Sequence, residues 1–317
     1  MIKILFISPR FDGGIGGHAL RVAQKLEEHG FEIKLMKTSS IPIKKIKNPS
    51  FAVFSTLKSI SSKEKYDIVH AFNVPSAFAM RYANAKKKVL SIHGMYSEQV
   101  DALHSHTTAN TAKIVESKVL GWADRLTTDS KMVQKQYKEK LGVDFECILA
   151  PLDIEKFKEI PDVQKNEKQI VFIGRDSYEK GIDILRKIEG KINANVVYCT
   201  NINWKEAMTR LKESSVLVIP SRMESIPQVI KEAFYLKVPI VATNVGGIPE
   251  LIINEKNGIL VPPENPEKML EAINYLLEDK EFSKKITENG FQYVMNNFTW
   301  EVLLPKYIKF YEDLLDT

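Results

Sequence analysis

The sequence predicts an α/β protein made of two units of similar construction, each built on a parallel sheet. Its 317 residues are enough for two domains of roughly 100–200 residues each. In the first half, short β-branched runs alternate with helical patterns, which is typical of parallel sheets covered by helices. The alternation starts again at residues 168–174, where KQIVFIG has the character of the first run, IKILFIS at 2–8. A charged segment that contains Pro161 separates the two halves and is predicted to be a linker.

Each unit has its own series of predicted strands. In the first unit they are the runs at 2–8, 31–37, 66–72, 87–93, 125–130 and 145–150. In the second unit they are the runs at 168–174, 194–200, 215–220, 239–243 and 258–262. Helices are predicted at 17–29, at 97–121, from Gly181 onward, at 266–278, at about 280–296 and at 299–315.

The predicted domains are residues 1–152, a linker at 153–168, a second domain at 169–297, and a last helix at 298–317 that packs back on the first domain. Pro305 lies inside that helix and is expected to bend it. Ligands of open α/β sheets bind outside the carboxyl ends of the strands. We therefore expect the two domains to face each other across a ligand cleft.

Composition places the chain among globular proteins. Apolar residues make up 44% of it and aromatic residues 9%, and no run approaches the length of a membrane span. The N-terminal run is too short for a secretory signal, and Cys147 and Cys199 are expected to be reduced thiols, so we predict a cytoplasmic protein.

The charge is mildly basic, at +5 from 45 basic and 40 acidic residues. Basic residues cluster in two runs of the first half: Lys44, Lys45 and Lys47, then Arg81, Lys86, Lys87 and Lys88. They fit either an ordinary solvated surface or attraction to an anionic acceptor or the inner face of a membrane. No aromatic-interleaved module accompanies them, so nucleic acid is not an expected partner.

A glycine-rich loop follows the first predicted strand. Gly14-Ile15-Gly16-Gly17-His18-Ala19 matches G-x-G-x-x-A, but a lone match of this kind is weak. A dinucleotide-binding unit would place the first glycine directly after the strand and an acidic residue at the end of the second strand. Here several residues intervene, and the second strand ends in Met36-Lys37-Thr38-Ser39. The loop, from Gly13 to Gly17, fits a phosphate at a helix N-terminus better than a nicotinamide cofactor.

Two glutamates frame a predicted helix start in the second half. Glu224 follows the strand SVLVIP, and Glu232 lies on the helix that Pro227 is placed to start. Gln228 and Val229 would then present backbone N–H groups in the first turn. An anion-binding helix end between two carboxylates fits a sugar diphosphate, although two solvated glutamates would show the same spacing.

This stretch resembles the E-x7-E signature of the retaining glycosyltransferases of the family 4 type, which have the GT-B fold of two Rossmann-like domains. The flanking residues are similar too: Ile219-Pro220-Ser221-Arg222, Pro239-Ile240-Val241-Ala242-Thr243, Val245-Gly246-Gly247-Ile248-Pro249-Glu250, Asn257-Gly258 with Leu260-Val261, and Phe298-Thr299-Trp300 with Tyr311. Gly13-Gly14, His70 and His93-Gly94 extend the resemblance to the first half, so it covers most of the chain.

The resemblance implies roles for individual residues around the donor. Glu232 would bind the ribose hydroxyls, and Glu224 and His93 would lie beside the donor sugar. Gly13 and Gly14 would approach the diphosphate. The segment that contacts sugar and phosphate would be Ser225, Ile226, Pro227, Gln228 and Val229.

Arg175 and Lys180 match a G-R-x-x-x-x-K-G motif of the same family. Negative charge grows on the leaving nucleoside diphosphate as the glycosidic bond breaks, and two fixed cations would stabilise it without a metal. His70, near the end of a predicted strand, is a further candidate for the cleft, and His18, after the glycine loop, is a candidate for binding the acceptor. His104 and His106, two apart on a predicted helix, do not share a face and are not expected to bind metal.

The predicted function is transfer of a hexose from a UDP- or GDP-sugar to an acceptor hydroxyl, with retention and without a metal. No cofactor is expected apart from the donor itself, for which a UDP-sugar is favoured over a GDP-sugar, and the acceptor is expected to be a glycan or a lipid-linked or anionic molecule. The alternatives are a nucleotide-sugar epimerase of the same fold and a non-catalytic partner subunit. The chain departs from the family pattern in Ala150-Pro151-Leu152-Asp153 and in the short stretch between Lys180 and Glu224, which leaves the base open.

Overall fold

The structure is a computed structural model that describes residues 1–11, 14–38, 40–41, 43, 47–94 and 106–316, with side chains described from residue 111 in the last range. The chain forms two compact units. The first comprises Met1–Ala150 together with the chain from Leu304 onward, and the second comprises Pro151–Leu303.

The first unit contains a parallel sheet of six strands in the order β2-β1-β3-β4-β5-β6. Its strands are β1 (Lys3–Ile7), β2 (Glu32–Met36), β3 (Tyr66–Phe72), β4 (Ala85–Ser91), β5 (Arg125–Thr128) and β6 (Glu146–Cys147). Its helices are α1 (Gly14–Glu27), α2 (Lys47–Ser61), α3 (Val74–Tyr82), α4 (His106–Leu120) and α5 (Lys131–Leu141).

The second unit contains a parallel sheet of five strands in the order β11-β10-β9-β7-β8. Its strands are β7 (Asn166–Ile173), β8 (Asn195–Cys199), β9 (Ser214–Ile219), β10 (Ile240–Thr243) and β11 (Ile259–Val261). Its helices are α6 (Ile182–Ile188), α7 (Trp204–Glu213), α8 (Gln228–Tyr235), α9 (Ile248–Leu251), α10 (Pro266–Glu278) and α11 (Lys280–Asn297).

Both units have the same strand order when the strands are numbered within each unit. That order is 2-1-3-4-5, and the first unit adds a sixth strand at its edge. In such a sheet the chain winds in one direction from strand 1 and in the other from strand 3, so the crevice at their carboxyl ends is the expected ligand site. In the second unit these two strands are β7 and β9, which are hydrogen-bonded neighbours.

Local sequence explains where these elements begin and end. Strand β9 is buried along its whole length because it is central, which matches its continuous apolar run. Helix α5 begins after Ser130, whose hydroxyl accepts the Val133 N–H, and ends at Gly142 in the left-handed conformation. Helix α10 begins after Asn265, whose side chain accepts the Lys268 N–H.

The predicted strands are all present in the structure, and so are the predicted helices of the C-terminal part. Helix α1 begins at Gly14 rather than residue 17. Of the predicted helix at 97–121, the part from His106 to Leu120 is helical, and residues 97–105 lie outside the described residues. Neither Cys147 nor Cys199 forms a disulfide. None of the described helices has the length and apolar content that a membrane crossing requires.

The segment predicted as a linker belongs to the second unit. It contains a 3-10 helix at Ile154–Glu159, and its last residues already form the start of β7. Phe157 is buried, with its ring 5.1 Å from that of Trp204 and 4.6 Å from that of Tyr235. One aromatic side chain therefore anchors a stretch whose composition is otherwise that of a solvated linker.

The last helix, α12 (Trp300–Asp316), contains Pro305 and clusters with the first unit from Leu304 onward. Tyr311 is fully buried, and its hydroxyl lies 2.7 Å from Nδ1 of His70 on β3. Tyr307 donates its hydroxyl hydrogen to the Leu149 carbonyl at 3.0 Å. Two tyrosines thus attach this helix to the sheet of the first unit.

Candidate active site

An ion pair lies where β7 and β9 end in the second unit. Lys180 Nζ is 2.6 Å from Glu224 Oε1, and Ser221 donates its hydroxyl hydrogen to the same oxygen at 2.8 Å. The Glu224 side chain is only 9% exposed. The two sequence motifs, 44 residues apart, are therefore brought together at the crevice where a parallel sheet of this order binds ligands.

Gly181 makes this approach possible. Its φ is +64°, in the left-handed region, and a Cβ there would lie 1.9 Å from the Pro220 carbonyl oxygen. Both observations exclude a side chain, so only glycine lets the start of α6 contact the end of β9. The Lys-Gly dipeptide thus places the Lys180 ammonium against the loop that carries Glu224.

The glycine pair after β10 supports the same loop from the other side. A Cβ on Gly246 would lie 1.8 Å from the Glu224 carbonyl oxygen, and one on Gly247 would lie 2.0 Å from that of Ser225. Gly246 also has a φ of +55°. The backbone at Glu224 and Ser225 is therefore held in place by a turn that cannot carry side chains.

Glu232 lies on α8, eight residues after Glu224, and is buried. The indole N–H of Trp204, at the start of α7, donates to Glu232 Oε1 at 2.8 Å. Trp204 was not predicted as a site residue. The sequence offers one local signal: Asn203 caps α7 and so fixes the start of the helix whose first residue is Trp204.

The segment between the two glutamates starts α8. Pro227 precedes the helix, and Gln228 and Val229 form its first turn, where backbone N–H groups have no intrahelical acceptor. Pro227 itself has no N–H, so within the predicted contact segment it can shape the helix start but cannot donate. The Ser225 hydroxyl oxygen is buried without a hydrogen-bond partner among the described residues.

Arg175 does not join the Lys180–Glu224 pair. Its side chain is 73% exposed, and its guanidinium lies 3.7 Å from a carboxylate oxygen of Glu179. The sequence motif correctly placed Arg175 in the loop after β7. Its position at the phosphate remains a prediction.

Arg222 is a residue whose importance sequence reasoning missed. Its guanidinium makes two hydrogen bonds to Asp183, at 2.7 and 2.8 Å, pairs with Glu264, and lies 4.1 Å from the centre of the Tyr178 ring. Asp183 and then Glu264 raise the pKa of Arg222, and the guanidinium in turn lowers the pKa of Asp183. Arg222 therefore fastens the loop that contains Lys180 to the loop that contains Glu224.

In the first unit, the glycine loop contains one position where a side chain is impossible. A Cβ on Gly16 would lie 1.8 Å from the Arg10 carbonyl oxygen, whereas Gly14, the first residue of α1, has a φ of +49° and open space around it. Gly16 is thus needed for the close contact of α1 with the loop after β1. Gly14 remains the candidate for approach to a phosphate, and Gly13 lies outside the described residues.

His93 lies just after β4, and its Nδ1 is 2.9 Å from Asp129 Oδ1. Its Nε2 is buried and has no hydrogen-bond partner among the described residues. Asp129 follows β5 and was not predicted as a site residue. Two neighbouring strands therefore bring an imidazole and a carboxylate together.

His70 and His18 are interior residues. His70 is buried, with Nδ1 at the Tyr311 hydroxyl and Nε2 2.6 Å from the Ser91 hydroxyl, and burial lowers its pKa well below the usual value. His18 is also buried, and its Nε2 lies 3.2 Å from the Tyr307 hydroxyl. The structure does not favour His70 as a cleft residue, because both its ring nitrogens have hydrogen-bond partners in the interior of the unit. His104 and the side chain of His106 lie outside the described residues.

Comparisons with known proteins agree with this arrangement. A family model described as glycosyl transferases group 1 matches residues 186–293, and one described as glycosyltransferase family 4 matches residues 12–155. An uncharacterized glycosyltransferase of Methanocaldococcus jannaschii is 24% identical, over 96% of this chain and 95% of its own length.

Two solved structures show the same fold. Sucrose-phosphate synthase from Thermosynechococcus elongatus superposes with a TM-score of 0.82 at 20% identity, over 100% of both chains. Anabaena HepE in complex with UDP-glucose superposes with a TM-score of 0.75 at 16% identity, over 99% of this chain and 100% of that one. The GT-B fold predicted from the sequence is thereby confirmed. The two family matches lie in different halves of the chain, and together with the fold they support a glycosyltransferase of the group 1 type.

Proposed function

We propose that this glycosyltransferase moves a hexose from a nucleoside diphosphate sugar to an acceptor hydroxyl, with retention of configuration and without a metal. The observation that carries the proposal is the Lys180–Glu224 pair, 2.6 Å apart at the ends of β7 and β9, with Glu232 on the helix that follows. It brings a fixed cation to a segment that offers a helix N-terminus and two carboxylates. A sugar diphosphate carries the complementary groups.

Lys180 is the group we assign to the leaving diphosphate. An ammonium has three donors, so it can keep its bond to Glu224 and still donate to a phosphate oxygen. Arg175 is assigned to the same diphosphate. Its contact with Glu179 is exposed and therefore weak, so its guanidinium can turn to a phosphate at small cost. The first-turn N–H groups of α8 would add the helix dipole.

Glu232 is assigned to the ribose. Trp204 holds Oε1, and a carboxylate can accept further hydrogen bonds from hydroxyl groups. Glu224, oriented by Lys180 and Ser221, is assigned to hydroxyls of the donor sugar.

The reaction we propose keeps both carboxylates out of covalent chemistry. The bond between the anomeric carbon and the diphosphate oxygen breaks, and the acceptor oxygen bonds to the same face of that carbon. The acceptor proton moves to the leaving phosphate, whose developing charge Lys180 and Arg175 stabilise. Retaining glycosidases use one carboxylate as the nucleophile of a covalent intermediate, whereas we assign Glu224 and Glu232 to binding the donor.

We propose a UDP-sugar as donor in preference to a GDP-sugar, which is supported by the similarity to a protein crystallised with UDP-glucose. For the acceptor we propose a glycan or a lipid-linked or otherwise anionic molecule. The basic run of Arg81, Lys86, Lys87 and Lys88 in the first unit supports it.

The test is a thermal-shift screen with UDP, GDP, ADP and NAD in the presence of EDTA. A rise in melting temperature with one diphosphate supports the donor site and names the base. A rise with NAD alone would contradict the proposal and favour a dinucleotide enzyme.

Turnover is then measured with the sugar form of that nucleotide and Arg175→Ala as the variant. Release of the diphosphate should fall by on the order of a hundredfold. Wild-type release in the variant would remove the assignment of Arg175. Conversion of donor without any acceptor would favour an epimerase instead.

A further inference from the structure

We propose that Tyr178 is a stacking platform for a sugar ring of the acceptor, at the rim of the candidate donor site. Tyr178 lies in the loop between β7 and α6, two residues before Lys180. Its side chain is 73% exposed, which makes it the most exposed aromatic residue in the part of the chain that the structure describes. Single exposed apolar residues are common on protein surfaces. What distinguishes Tyr178 is that its ring is exposed and is also held in place.

Arg222 holds the ring. Its guanidinium carbon lies 4.1 Å from the centre of the Tyr178 ring, and its own side chain is only 10% exposed. Two hydrogen bonds to Asp183 and the pair with Glu264 keep the guanidinium from moving. The ring therefore lies against a fixed cation, while most of its remaining surface is in water. An aromatic side chain that is already ordered loses little conformational entropy when a ligand binds to it.

The ring is not needed to fasten the two loops. Arg222 also donates to the Tyr178 carbonyl at 2.8 Å, and the N–H groups of Arg222 and Met223 donate to the Glu179 carbonyl at 2.8 and 3.3 Å. These bonds use the backbone of residues 178 and 179, so they would form with another side chain at position 178. The contacts of the loop leave the aromatic ring without a structural task, and its surface is available to a ligand.

The groups around the ring are complementary to a sugar. The face of an aromatic ring carries partial negative charge and attracts the C–H hydrogens on the less polar face of a sugar ring. Asp183 and Glu264 are half exposed, and a carboxylate that pairs with a guanidinium can still accept hydrogen bonds from hydroxyl groups. Met223, 38% exposed in the next loop, adds apolar surface. An apolar face bordered by carboxylates fits a ring that has C–H groups on its face and hydroxyls at its edge.

The position of Tyr178 separates it from the nucleoside. Right-handed crossovers place α6, which leads from β7 to β8, on one face of the sheet, and α7 and α8, which lead the other way, on the opposite face. Arg222 ties the Tyr178 loop to Asp183 on α6 and to Glu264 just before α10, which packs against α6. Glu232, which we assign to the ribose, is on α8. A ligand on Tyr178 is therefore on the other side of the crevice from the ribose and base.

This inference rests on the proposed function, because it places a second sugar next to the assigned donor. The donor would run from its ribose at Glu232, past the diphosphate at Lys180, to its sugar at Glu224. The Tyr178 loop contacts the Glu224 loop directly, so a sugar on Tyr178 would lie beyond the donor sugar. An acceptor hydroxyl has to reach the anomeric carbon of the donor from a position of this kind.

The test is saturation-transfer difference NMR in the presence of UDP, with the methyl glycosides of glucose, galactose, mannose and N-acetylglucosamine as probes. Irradiation of aromatic protons should transfer saturation to the C–H protons on one face of at least one glycoside. Tyr178→Ala should raise the Kd of that glycoside by roughly three- to tenfold, because the stacking contact is lost. Tyr178→Phe keeps the ring and should bind as wild type does. The matched control is Tyr275→Ala, since Tyr275 is a half-exposed tyrosine on α10 of the same unit.

The thermal shift with UDP separates this inference from the donor site. An unchanged UDP shift in Tyr178→Ala is expected, and loss of that shift would place the base on the ring and overturn the proposal. Equal glycoside binding by Tyr178→Ala and wild type, or no glycoside binding by wild type that does respond to UDP, would overturn it as well. The melting temperature of Tyr178→Ala without ligand should stay close to that of wild type. A marked fall would show that the ring is structural. Absence of any UDP shift in wild type would instead count against the proposed function.

Discussion

The two units share a strand order, but the ends of their strands are used in opposite ways. In the second unit, charged groups gather after β7 and β9: Lys180, Glu224 and, on the next helix, Glu232. In the first unit, the ends of β3 and β4 carry His70 and Ser91, which are buried and hydrogen-bonded to Tyr311 and Thr127. One strand order thus supports a cluster of charged groups in one unit, here called the ionic edge, and a buried hydrogen-bonded network at the ends of β3 and β4 in the other.

The comparison shows that two units of the same strand order can carry different side-chain chemistry. A parallel sheet of order 2-1-3-4-5 creates a crevice in both units. In the second unit, Gly181, Gly246 and Gly247 bring loops from β7, β9 and β10 into direct backbone contact, whereas Gly16 of the first unit brings α1 against the loop after its own strand β1. The chemistry therefore follows from loop geometry, and the fold only makes it available.

The largest expected effect is at Lys180, the cation of the ionic edge. Lys180→Ala should lower the turnover of donor by about a thousandfold, because the charge opposite the leaving diphosphate is lost. Steady-state kinetics measure this, and melting temperature checks that the variant folds. Turnover within a few-fold of wild type would mean that the ionic edge is structural.

Glu232 should affect binding more than chemistry. Glu232→Gln keeps an oxygen that can accept the Trp204 N–H but loses the charge that accepts ribose hydroxyls. We expect KM for the donor to rise by about ten- to a hundredfold with a small change in kcat. A fall in kcat with KM unchanged would place Glu232 at the reacting bond instead.

Trp204 should show a smaller effect of the same kind. Trp204→Phe keeps a ring against Phe157 but removes the donor to Glu232. KM for the donor should rise by about three- to tenfold. In the Glu232→Gln background the same substitution should add less than it does alone, because the two residues act as one unit. Independent effects in that double-mutant cycle would show that Trp204 does not act through Glu232.

The smallest expected effect is in the first unit and depends on pH. Burial holds the pKa of His70 well below its usual value, so the unfolded chain binds a proton that the folded one does not. The stability from His70 is therefore complete above about pH 6.5 and declines as the pH falls below it. We expect a loss of about 1–2 kcal/mol between pH 7 and about pH 5.

The control is His70→Gln, which can hydrogen-bond but cannot titrate. Thermal unfolding across this pH range should show a shallower acid decline for the variant than for wild type. An identical decline would assign the acid sensitivity to other groups.

Strand positions and the last helices could be predicted because their signals are local. Short apolar runs bounded by polar residues mark β1 to β11, and Asn265 and Asp279 start α10 and α11 with side-chain caps. Helices α2 and α3 were not singled out. In α2 the apolar residues lie on both sides, so the usual one-sided periodicity is absent.

The site residues also fall into those that local sequence identifies and those that only contacts in the structure identify. Glu224, Glu232, Arg175 and Lys180 were identified because their spacing in the sequence is a family motif. Trp204, Arg222 and Asp129 were not, since each acts through a partner that is distant along the chain: Glu232, Asp183 with Glu264, and His93. His70 lies near the end of a strand, as His93 does, and the hydrogen bond to Tyr311 from the last helix is what shows that it is interior.

The sequence by itself determined the two-unit α/β architecture, the strands and the motif residues, because periodicity, capping and short-range spacing are written along the chain. The tertiary structure alone decided that Lys180 pairs with Glu224, that the Trp204 indole donates to Glu232 and that His70 is buried. It also decided that α2 has exposed apolar residues on its outer side. Those are contacts between residues far apart in the sequence. They depend on the strand order and on loops whose backbones approach so closely that a Cβ atom would not fit between them.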